Sequence, residues 1–304
     1  MTVTSDLPSA RMDSEPSPRP ARVIRRLRPQ RPCRRPNVTM GLLALFWLAI
    51  VAVPLYLLVV TSLRPMGGYL ADGPLSVPDA FTLQNYRTVF EAGFLRYLAN
   101  SLVVAGSAIL LVLVVALPGA FAIVRSHSPL VRVSFVLFLL GLAIPAQAVI
   151  IPVYLIITRM NLYDSLAGII LPTAAFTLPI SILILTSSLR DVPSDLYEAM
   201  SIDGARTWQV FLYMVVPLAR PGIVTVTIFV GLQAWNNFIF PLVLTQSPEV
   251  RVLPMALWEF QSQYTTDVPG LMAAVVLSLL PVFALYLFGR RQLLNGLAAA
   301  GMGK

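Results

Sequence analysis

The stretch NSLVVAGSAILLVLVVALPGAFAIVR, residues 100–125, carries no charged side chain before its last residue. A helix of about 20 predominantly apolar residues is long enough to cross the hydrocarbon core of a bilayer. The stretch therefore predicts a membrane-spanning helix over residues 98–124, approximately, and it indicates that the chain is a membrane protein.

The composition of the whole chain supports this prediction. Of the 304 residues, 57% are hydrophobic and 12% are charged, and the mean hydropathy is +0.78. Soluble domains carry about 25% charged residues. We therefore expect an all-α fold in the form of a polytopic transmembrane bundle, which occupies residues 41–304.

Five further segments have the length and composition of a membrane-spanning helix. The complete prediction is six spans, at residues 41–60, 98–124, 133–157, 166–189, 222–244 and 271–288. The third and fourth spans each contain two prolines, which membrane helices tolerate because neighbouring helices satisfy the freed backbone groups.

Residues 1–40 differ from the rest of the chain. They are rich in proline and arginine and have no apolar periodicity, so we interpret them as a disordered basic cytoplasmic arm. The arm is either a tail that sets the topology or a segment that binds anionic lipid headgroups.

The basic residues predict the orientation of the spans. Of the 22 basic residues, 17 fall on the side of the two termini. The other five are Arg64, Arg87, Arg96, Arg159 and Arg251. Basic residues concentrate in cytoplasmic loops, so both termini are predicted to be cytoplasmic, and the net charge of +8 reflects topology rather than binding of nucleic acid.

Several kinds of chemistry are excluded by residues that the chain lacks. A phosphate-binding loop needs an internal lysine, but the only lysine is Lys304. With His127 as the single histidine and Cys33 as the single cysteine, we expect no catalytic residue, no disulfide, no metal site and no cofactor. The central parts of the spans hold no ionisable residue, which argues against proton coupling. We therefore expect a transport pathway powered by another protein.

The segment between the fourth and fifth spans, residues 190–220, is a polar interruption of this apolar chain. Its pattern predicts two short amphipathic helices joined by a turn at Gly204. In the first helix, one face holds Leu196, Ala199 and Met200, and another holds Asp195, Glu198 and Ile202. Acidic residues suit an anionic leaflet poorly, so we expect this segment to dock onto a basic protein partner.

The sequence VPSDLYEAMSIDGARTWQVFLYMVVPLARPGI, residues 192–223, resembles the EAA loop of ABC importer permeases. The resemblance is strongest to the carbohydrate-uptake group that is related to the maltose transporter. It extends over residues 41–304, including AWNNFIFPLVL in the fifth span and FGRRQLLNGLAAAGMGK at the end. Met200 takes the place of the second alanine of the EAA triplet.

This resemblance implies a set of partners. The chain would pair with a homologous second permease subunit in the cell membrane of a prokaryote. Two cytoplasmic ATP-binding subunits would each take up one EAA loop, and an extracytoplasmic solute-binding protein would deliver a sugar. The residues implied in coupling to the ATPase are Glu198, Ala199, Asp203 and Gly204.

Residues of the substrate pathway are predicted from amides in apolar spans. Gln233, Asn236 and Asn237 are spaced i, i+3, i+4 and would share one helix face, and Gln147 lies in the third span. These side chains suit hydrogen bonds to sugar hydroxyls and equally suit bonds between helices. The alternatives for the whole protein are an ABC permease for an amino acid, phosphate or peptide, and a sodium-coupled carrier.

Overall fold

The computed structural model describes residues 38–73, 76, 78–126, 128–259 and 267–301. Up to residue 37, the predicted basic arm therefore lies outside the described residues. The chain divides into two units, Met1–Ala49 and Ile50–Lys304. Of the first unit, the structure describes residues 38–49, which begin the first helix.

Every regular element among the described residues is helical, which confirms the all-α fold. The α-helices are α1 (Val38–Ser62), α2 (Met66–Asp72), α3 (Gln84–Glu91), α4 (Phe94–Arg125), α5 (Pro129–Leu140), α6 (Ile150–Arg159), α7 (Leu166–Arg190), α8 (Ser194–Ile202), α9 (Thr207–Val210), α10 (Val216–Leu218), α11 (Arg220–Trp235), α12 (Ile239–Leu244), α13 (Leu253–Glu259) and α14 (Val268–Gly301). Short 3₁₀ segments cover Gly141–Ala143, Ala146–Val149 and Pro248–Val250, and a π-helical turn covers Phe211–Val215.

The lengths of the apolar helices give fewer candidate membrane spans than the sequence predicts. Three helices, α1, α4 and α7, are long and apolar enough to cross a membrane. Two bent pairs pass the same test together, Pro129–Ala143 with Ala146–Arg159 and Thr207–Leu218 with Arg220–Trp235. The apolar stretch Val268–Ala284 forms the first half of α14. The described residues thus contain three to five candidate spans, and the predicted count of six is not confirmed.

The predicted third span is broken rather than continuous. Ile144 leaves helical geometry, with φ −91° and ψ 111°, and the helices on its two sides are bent by 95°. The next residue is Pro145, which has no N–H and disfavours the α conformation of the residue before it. In the fourth span, Pro172 and Pro179 lie inside the continuous helix α7. Proline is therefore accommodated in one span and breaks the other.

The predicted fifth span is also interrupted. Helix α11 ends at Trp235, and α12 begins at Ile239. Pro241 explains the break, because inside a continuous helix its ring would clash with the carbonyl of Asn237, four residues earlier. At the two interruptions other hydrogen bonds replace those of a continuous helix: Ile144 N–H donates to the Gly141 carbonyl at 3.3 Å, and Phe240 N–H donates to Oδ1 of Asn237 at 3.2 Å.

The centre of the second unit is formed by α4, α7 and α11, which pack through small side chains. The buried positions of α4 include Ser101, Val104, Ala105, Ala108, Val112, Ala116 and Ala120. Gly222 of α11 lies so close to α7 that a Cβ atom there would come within 2.8 Å of the Ser188 side chain. Small residues let membrane helices approach closely. This packing fixes the helix ends from which the segment between α7 and α11 starts.

Arg64, directly after α1, is buried to 1% exposure and organises the segment that follows. Its guanidinium group donates to the carbonyl oxygens of Gly73 (3.0 Å) and Ser76 (3.2 Å) and to Oγ of Ser76 (2.6 Å). Nη2 also lies 3.5 Å from the carboxylate of Asp72. Nδ2 of Asn85 donates to the carbonyl of Arg64 at 2.8 Å. The described residues between 63 and 85 are thus folded around one buried guanidinium group.

The N-terminal part of α4 binds the segment that leads into α13. Nδ2 of Asn100 donates to the carbonyl oxygens of Glu249 and Arg251 at 2.8 Å each, and Oγ of Ser101 accepts the N–H of Leu253 at 2.8 Å. Leu253 is buried against α4 and α14 together with its apolar neighbours. This segment is therefore fastened to one end of α4, and the polar segment 190–220 lies at the other.

Candidate functional site

The polar segment between α7 and α11 folds as an elbow with two helical arms, of which α8 is the first. Helix α8 ends in a Schellman motif, in which Ala205 N–H donates to the Met200 carbonyl at 3.0 Å and Gly204 N–H donates to the Ser201 carbonyl at 3.1 Å. Gly204 has φ +77°, a left-handed conformation that glycine adopts without steric cost. The predicted pair of short helices joined by a glycine turn is confirmed.

The second arm of the elbow is residues 207–218, which comprise α9, the π-helical turn and α10. Its start is stabilised by Gln209, whose Oε1 accepts the backbone N–H of Arg206 at 2.7 Å. The second arm is bent by 72° from α11. The second arm therefore runs at a large angle to the central helix α11, which begins at Arg220.

One side of α8 is exposed and carries acidic residues. We call this side the acidic face, and its members are Asp195, Glu198, Ala199 and Ile202. Among the large hydrophobic residues that the structure describes, Ile202 is the most exposed, at 86%. Asp203 and Gly204 follow at the exposed end of the helix. The four residues predicted to couple to the ATPase thus lie together on one accessible surface.

The opposite side of α8 is held by Tyr197, which sequence reasoning missed. Tyr197 is the only buried residue of α8. Of the apolar stripe predicted for this side, Leu196 and Ala199 are exposed and only Met200 is half-buried. The predicted stripe is therefore wrong in two of its three members. The residue of α8 that is buried is determined by the surface on which the helix packs, and not by the pattern within the helix.

Tyr197 joins the elbow to the end of α4. Its ring stacks on Phe121, with 6.4 Å between centroids and 23° between planes. The guanidinium carbon of Arg125, the last residue of α4, lies 4.5 Å from the centroid of the Tyr197 ring. Phe211 of the second arm contacts the Phe121 ring at 5.6 Å. Aromatic pairs and cation–π contacts each contribute about 0.5–1.5 kcal/mol, so both arms are attached to the last two turns of α4.

The hydroxyl group of Tyr197 differs from its ring, because it is buried without a hydrogen-bond partner among the described residues. Burial raises the pKa of Tyr197, and the positive charge of Arg125 partly opposes this increase. A buried polar group without a partner costs about 1–3 kcal/mol. The ring therefore stabilises the attachment of α8, whereas the hydroxyl group weakens it.

The amides predicted for the substrate pathway do not share one helix face. Gln233 and Asn236 are exposed, and Asn236 Nδ2 donates to the Leu232 carbonyl of its own helix at 2.8 Å. Asn237 lies beyond the end of α11 and points elsewhere. Its Nδ2 donates to Oγ1 of Thr173 in α7 at 3.0 Å, and its Oδ1 accepts the N–H of Phe240 at 3.2 Å. Of the two roles that the sequence left open for these amides, the side chain of Asn237 makes the bond between helices, because it joins α7 to the start of α12.

The fourth predicted pathway residue, Gln147, is exposed and lies in the 3₁₀ segment beside the break at Ile144. Its neighbour Ala146 belongs to the apolar cluster of Phe240, in which Phe176 of α7 also packs. The two broken spans thus meet at one cluster, which brings the segment of Gln147 next to the start of α12. At membrane depth, non-helical backbone is tolerated where protein buries it or where it lines a water-filled cavity.

Comparison with known protein families identifies the chain. Residues 108–294 match the family described as the inner membrane component of binding-protein-dependent transport systems. The chain belongs to this family. The permease is 36% identical to a putative ABC transporter permease protein of Caldicellulosiruptor over 256 residues, which cover 84% of the permease and 93% of that protein.

Other relatives of the permease are named for what they transport. A diacetylchitobiose uptake permease of Streptomyces coelicolor is 32% identical and covers 83% of the permease, which in turn covers 84% of that protein. A trehalose transport permease of Mycobacterium tuberculosis is 30% identical and covers 79% of the permease, with 88% of that protein covered.

Among solved structures, the permease is similar to a chain in the crystal structure of a bacterial ABC transporter that imports the acidic polysaccharide alginate. The TM-score is 0.74 with 20% sequence identity, over 84% of the permease and 94% of that chain. At this identity the likeness establishes the fold. The fold is therefore that of an ABC importer permease, as the resemblance of the sequence predicted.

Proposed function

We propose that the permease is one of two membrane subunits of an ATP-driven, binding-protein-dependent importer of a sugar or oligosaccharide. The observation that carries this proposal is the elbow between α7 and α11. Its acidic face is fully accessible, while Tyr197 attaches the same helix to α4, one of the three central helices. A partner bound to the acidic face would therefore act directly on the helix bundle.

The partner of the acidic face is an ATP-binding subunit that docks from the cytoplasm. Glu198 is the residue we assign to the docking contact, because its carboxylate is exposed on α8 and suits a charge-assisted hydrogen bond from a basic residue. Ala199, Asp203 and Gly204 support the same contact: the first keeps the surface flat, and the other two form the turn. Two such subunits serve the two permeases of the complex.

The orientation that this docking needs has both termini in the cytoplasm, including the basic arm at residues 1–40. It is supported by the arginines at the ends of the central helices. Arg125 ends α4 and Arg190 ends α7, and the contact of Tyr197 with Arg125 brings both ends to the elbow. Tags at Met1 and Lys304 are expected to resist protease added to intact cells, and cleavage of either tag would contradict this topology.

The pathway for the solute lies between this permease and a second, homologous subunit. The exposed amides Gln147, Gln233 and Asn236 support this placement, since polar side chains in apolar segments face protein or water rather than lipid. Two of them lie at helix breaks, where backbone groups also need polar partners. Asn237 is not part of the proposed pathway, because both ends of its amide are used within the chain.

A carbohydrate is the substrate class that we propose, delivered by an extracytoplasmic solute-binding protein. Support comes from relatives that are named for diacetylchitobiose and trehalose. A permease for an amino acid, phosphate or peptide is the competing possibility, whereas family membership sets aside the sodium-coupled carrier. Titrating the cognate binding protein with oligosaccharides, amino acids, phosphate and peptides distinguishes these classes, and tight binding of a non-sugar alone would contradict the proposal.

The docking role is tested with Glu198→Lys. Truncating one partner of a desolvated charge pair costs about 2–5 kcal/mol, or roughly 30-fold to several-thousand-fold in affinity, and reversal of the charge is expected to cost at least as much. We expect the variant to insert normally, to lose the ATP-binding subunit on purification in detergent, and to lose uptake in proteoliposomes. Asp79→Lys is the matched control, because Asp79 is an exposed acid in the segment between α2 and α3. Normal uptake and normal retention of the ATP-binding subunit by Glu198→Lys would refute the docking contact.

A further inference from the structure

The second arm of the elbow has an exposed side that the docking of α8 does not use. Trp208, Leu212 and Tyr213 are exposed by 52%, 50% and 69%. The rings of Trp208 and Tyr213 lie 6.3 Å apart, so they form one apolar surface. Leu212 follows Trp208 by four residues, a spacing that places two side chains on the same side of a helix. We call these three residues the aromatic face of the second arm.

The buried side of the second arm shows how deep the arm lies. Val210, Met214 and Val215 are buried in the central cluster, and Phe211 contacts Phe121 of α4. Phe121 precedes Arg125, the end of α4, by one helical turn, or about 6 Å of helix rise. The arm therefore lies at the level of the last turn of α4, and Tyr197 of α8 contacts the same turn at Phe121 and the end of the helix at Arg125.

The direction of the second arm is set by its bend of 72° from α11. Helices that span a bilayer are tilted by about 20° from its normal on average. An arm that leaves such a helix at 72° makes an angle of about 50–90° with the membrane normal, so it runs closer to the plane of the membrane than to the normal. Its position and direction are thus those of a helix on the membrane surface.

The chemistry of the two arms is also different. The acidic face of α8 would be repelled by an anionic leaflet. Between Arg206 and Arg220 the second arm has no charged residue, and both arginines are exposed at its ends. Aromatic residues flanked by basic ones are typical of helices that lie in the interface between lipid and water.

We propose that the second arm is an interfacial helix of the cytoplasmic leaflet. The aromatic face inserts among the lipid headgroups and upper acyl chains, and Arg206 and Arg220 bind anionic headgroups. The occupant of this surface is lipid, and the ATP-binding subunit takes the acidic face alone. The inference rests on the proposed orientation, with the elbow on the cytoplasmic side. In the transporter, the lipid contact fixes the depth of the elbow relative to the membrane, so that α8 projects into the cytoplasm toward its partner.

Fluorescence quenching by brominated lipid tests this inference on the assembled transporter. The chain has four tryptophans, and replacing Trp47, Trp235 and Trp258 by phenylalanine leaves Trp208 as the only reporter in the permease. Emission from tryptophans in the other subunits is removed by subtracting the signal of a complex whose permease carries Trp208→Phe. The complex is placed in nanodiscs of phosphatidylcholine and phosphatidylglycerol with bromine either near the glycerol or near the end of the acyl chains.

We expect shallow bromine to remove most of the Trp208 emission and deep bromine to remove little. Absence of quenching by both lipids would overturn the proposal, because protein or water would then cover the aromatic face. Stronger quenching by deep bromine would also overturn it, since the arm would then be part of a span. If the complex with the three replacements does not assemble, quenching is compared between the native complex and its Trp208→Phe variant. The difference between the two then reports on Trp208.

Ile202→Trp in the reporter without Trp208 is the matched control. Residue 202 lies on the acidic face of the first arm, so its emission is expected to be insensitive to both lipids. Equal quenching at positions 202 and 208 would contradict separate roles for the two arms. In Arg206→Gln/Arg220→Gln, quenching at Trp208 is expected to fall when phosphatidylglycerol is present and to be unchanged in phosphatidylcholine alone. Quenching is measured without transport, so failure of this proposal is distinguishable from failure of ATPase docking at Glu198.

Discussion

Tyr197 offers a prediction in which two substitutions of the same residue act in opposite directions. In Tyr197→Phe, the ring keeps its stacking on Phe121 and its position below Arg125. The substitution removes a hydroxyl group that is buried without a partner among the described residues. Because such a group costs about 1–3 kcal/mol, we expect Tyr197→Phe to leave stability unchanged or to raise it by about 1 kcal/mol.

Tyr197→Ala removes the only buried side chain of α8. Replacing a buried aromatic residue by alanine costs about 3–5 kcal/mol, and this figure already includes most of the stacking and cation–π contributions. A nine-residue helix is marginal without such packing. We therefore expect α8 to detach from α4, which disconnects the acidic face from the central helices while the helix bundle remains folded.

Two measurements check this prediction. Hydrogen exchange of the α8 amides is expected to be unchanged or slower in Tyr197→Phe and much faster in Tyr197→Ala, with α7 and α11 unaffected in both. In proteoliposomes, Tyr197→Phe is expected to retain uptake, and Tyr197→Ala is expected to hydrolyse ATP without uptake. The reasoning is refuted if Tyr197→Phe destabilises α8 as much as Tyr197→Ala does, or if Tyr197→Ala leaves exchange in α8 unchanged.

Three further predictions concern other parts of the permease. Gly204→Val is expected to cost about 1–2 kcal/mol or more at the turn, because the left-handed conformation is unfavourable for other residues. Gly204→Asn is expected to be tolerated better than Gly204→Val, since asparagine adopts the left-handed conformation more readily than other non-glycine residues, and equal uptake by both variants would exclude a backbone role. Asn237→Ala is expected to lower the yield of assembled complex, whereas Asn236→Ala is expected to change only the sugar dependence of uptake; the reverse result, measured by gel filtration and uptake, would place Asn237 in the pathway. Hydrogen bonds from Gln246 and Ser247 lower the pKa of Asp164. The ionised carboxylate therefore stabilises the contact between Asp164 and these two residues at pH values above the ordinary pKa of an aspartate. This stabilisation is lost as the pH falls through the lowered pKa. Thermal unfolding against pH is expected to show this loss in the wild type and not in Asp164→Asn, and identical pH profiles would show that the contact does not contribute.

The sequence predicted those features that depend on local chemistry. The helical fold follows from apolar length, and the glycine turn of the elbow follows from Gly204 at the end of an amphipathic pattern. The family follows from the EAA resemblance. The break at Asn237 has a local signal as well, because Pro241 lies four residues later, whereas the i, i+3, i+4 spacing of the amides does not reveal it.

Features that depend on distant residues were not predictable in the same way. Tyr197 is buried because Phe121 and Arg125, more than 70 residues earlier in the sequence, form the surface on which α8 packs. Nothing in the pattern of α8 distinguishes Tyr197 from Leu196, which is exposed. The partner Thr173 of Asn237 is likewise 64 residues away. Such choices are made by tertiary packing, which one sequence does not reveal.

The buried guanidinium group of Arg64 has a consequence for how the protein is made. In the proposed topology, this charge must be carried across the bilayer as α1 inserts, against the usual preference for basic residues in the cytoplasm. Once across, it is enclosed by the carbonyls of Gly73 and Ser76 and by Asp72, so reversal of α1 would require these contacts to break. We therefore expect replacement of Arg64 to lower the fraction of chains that reach the correct topology rather than the transport rate of each correctly inserted chain.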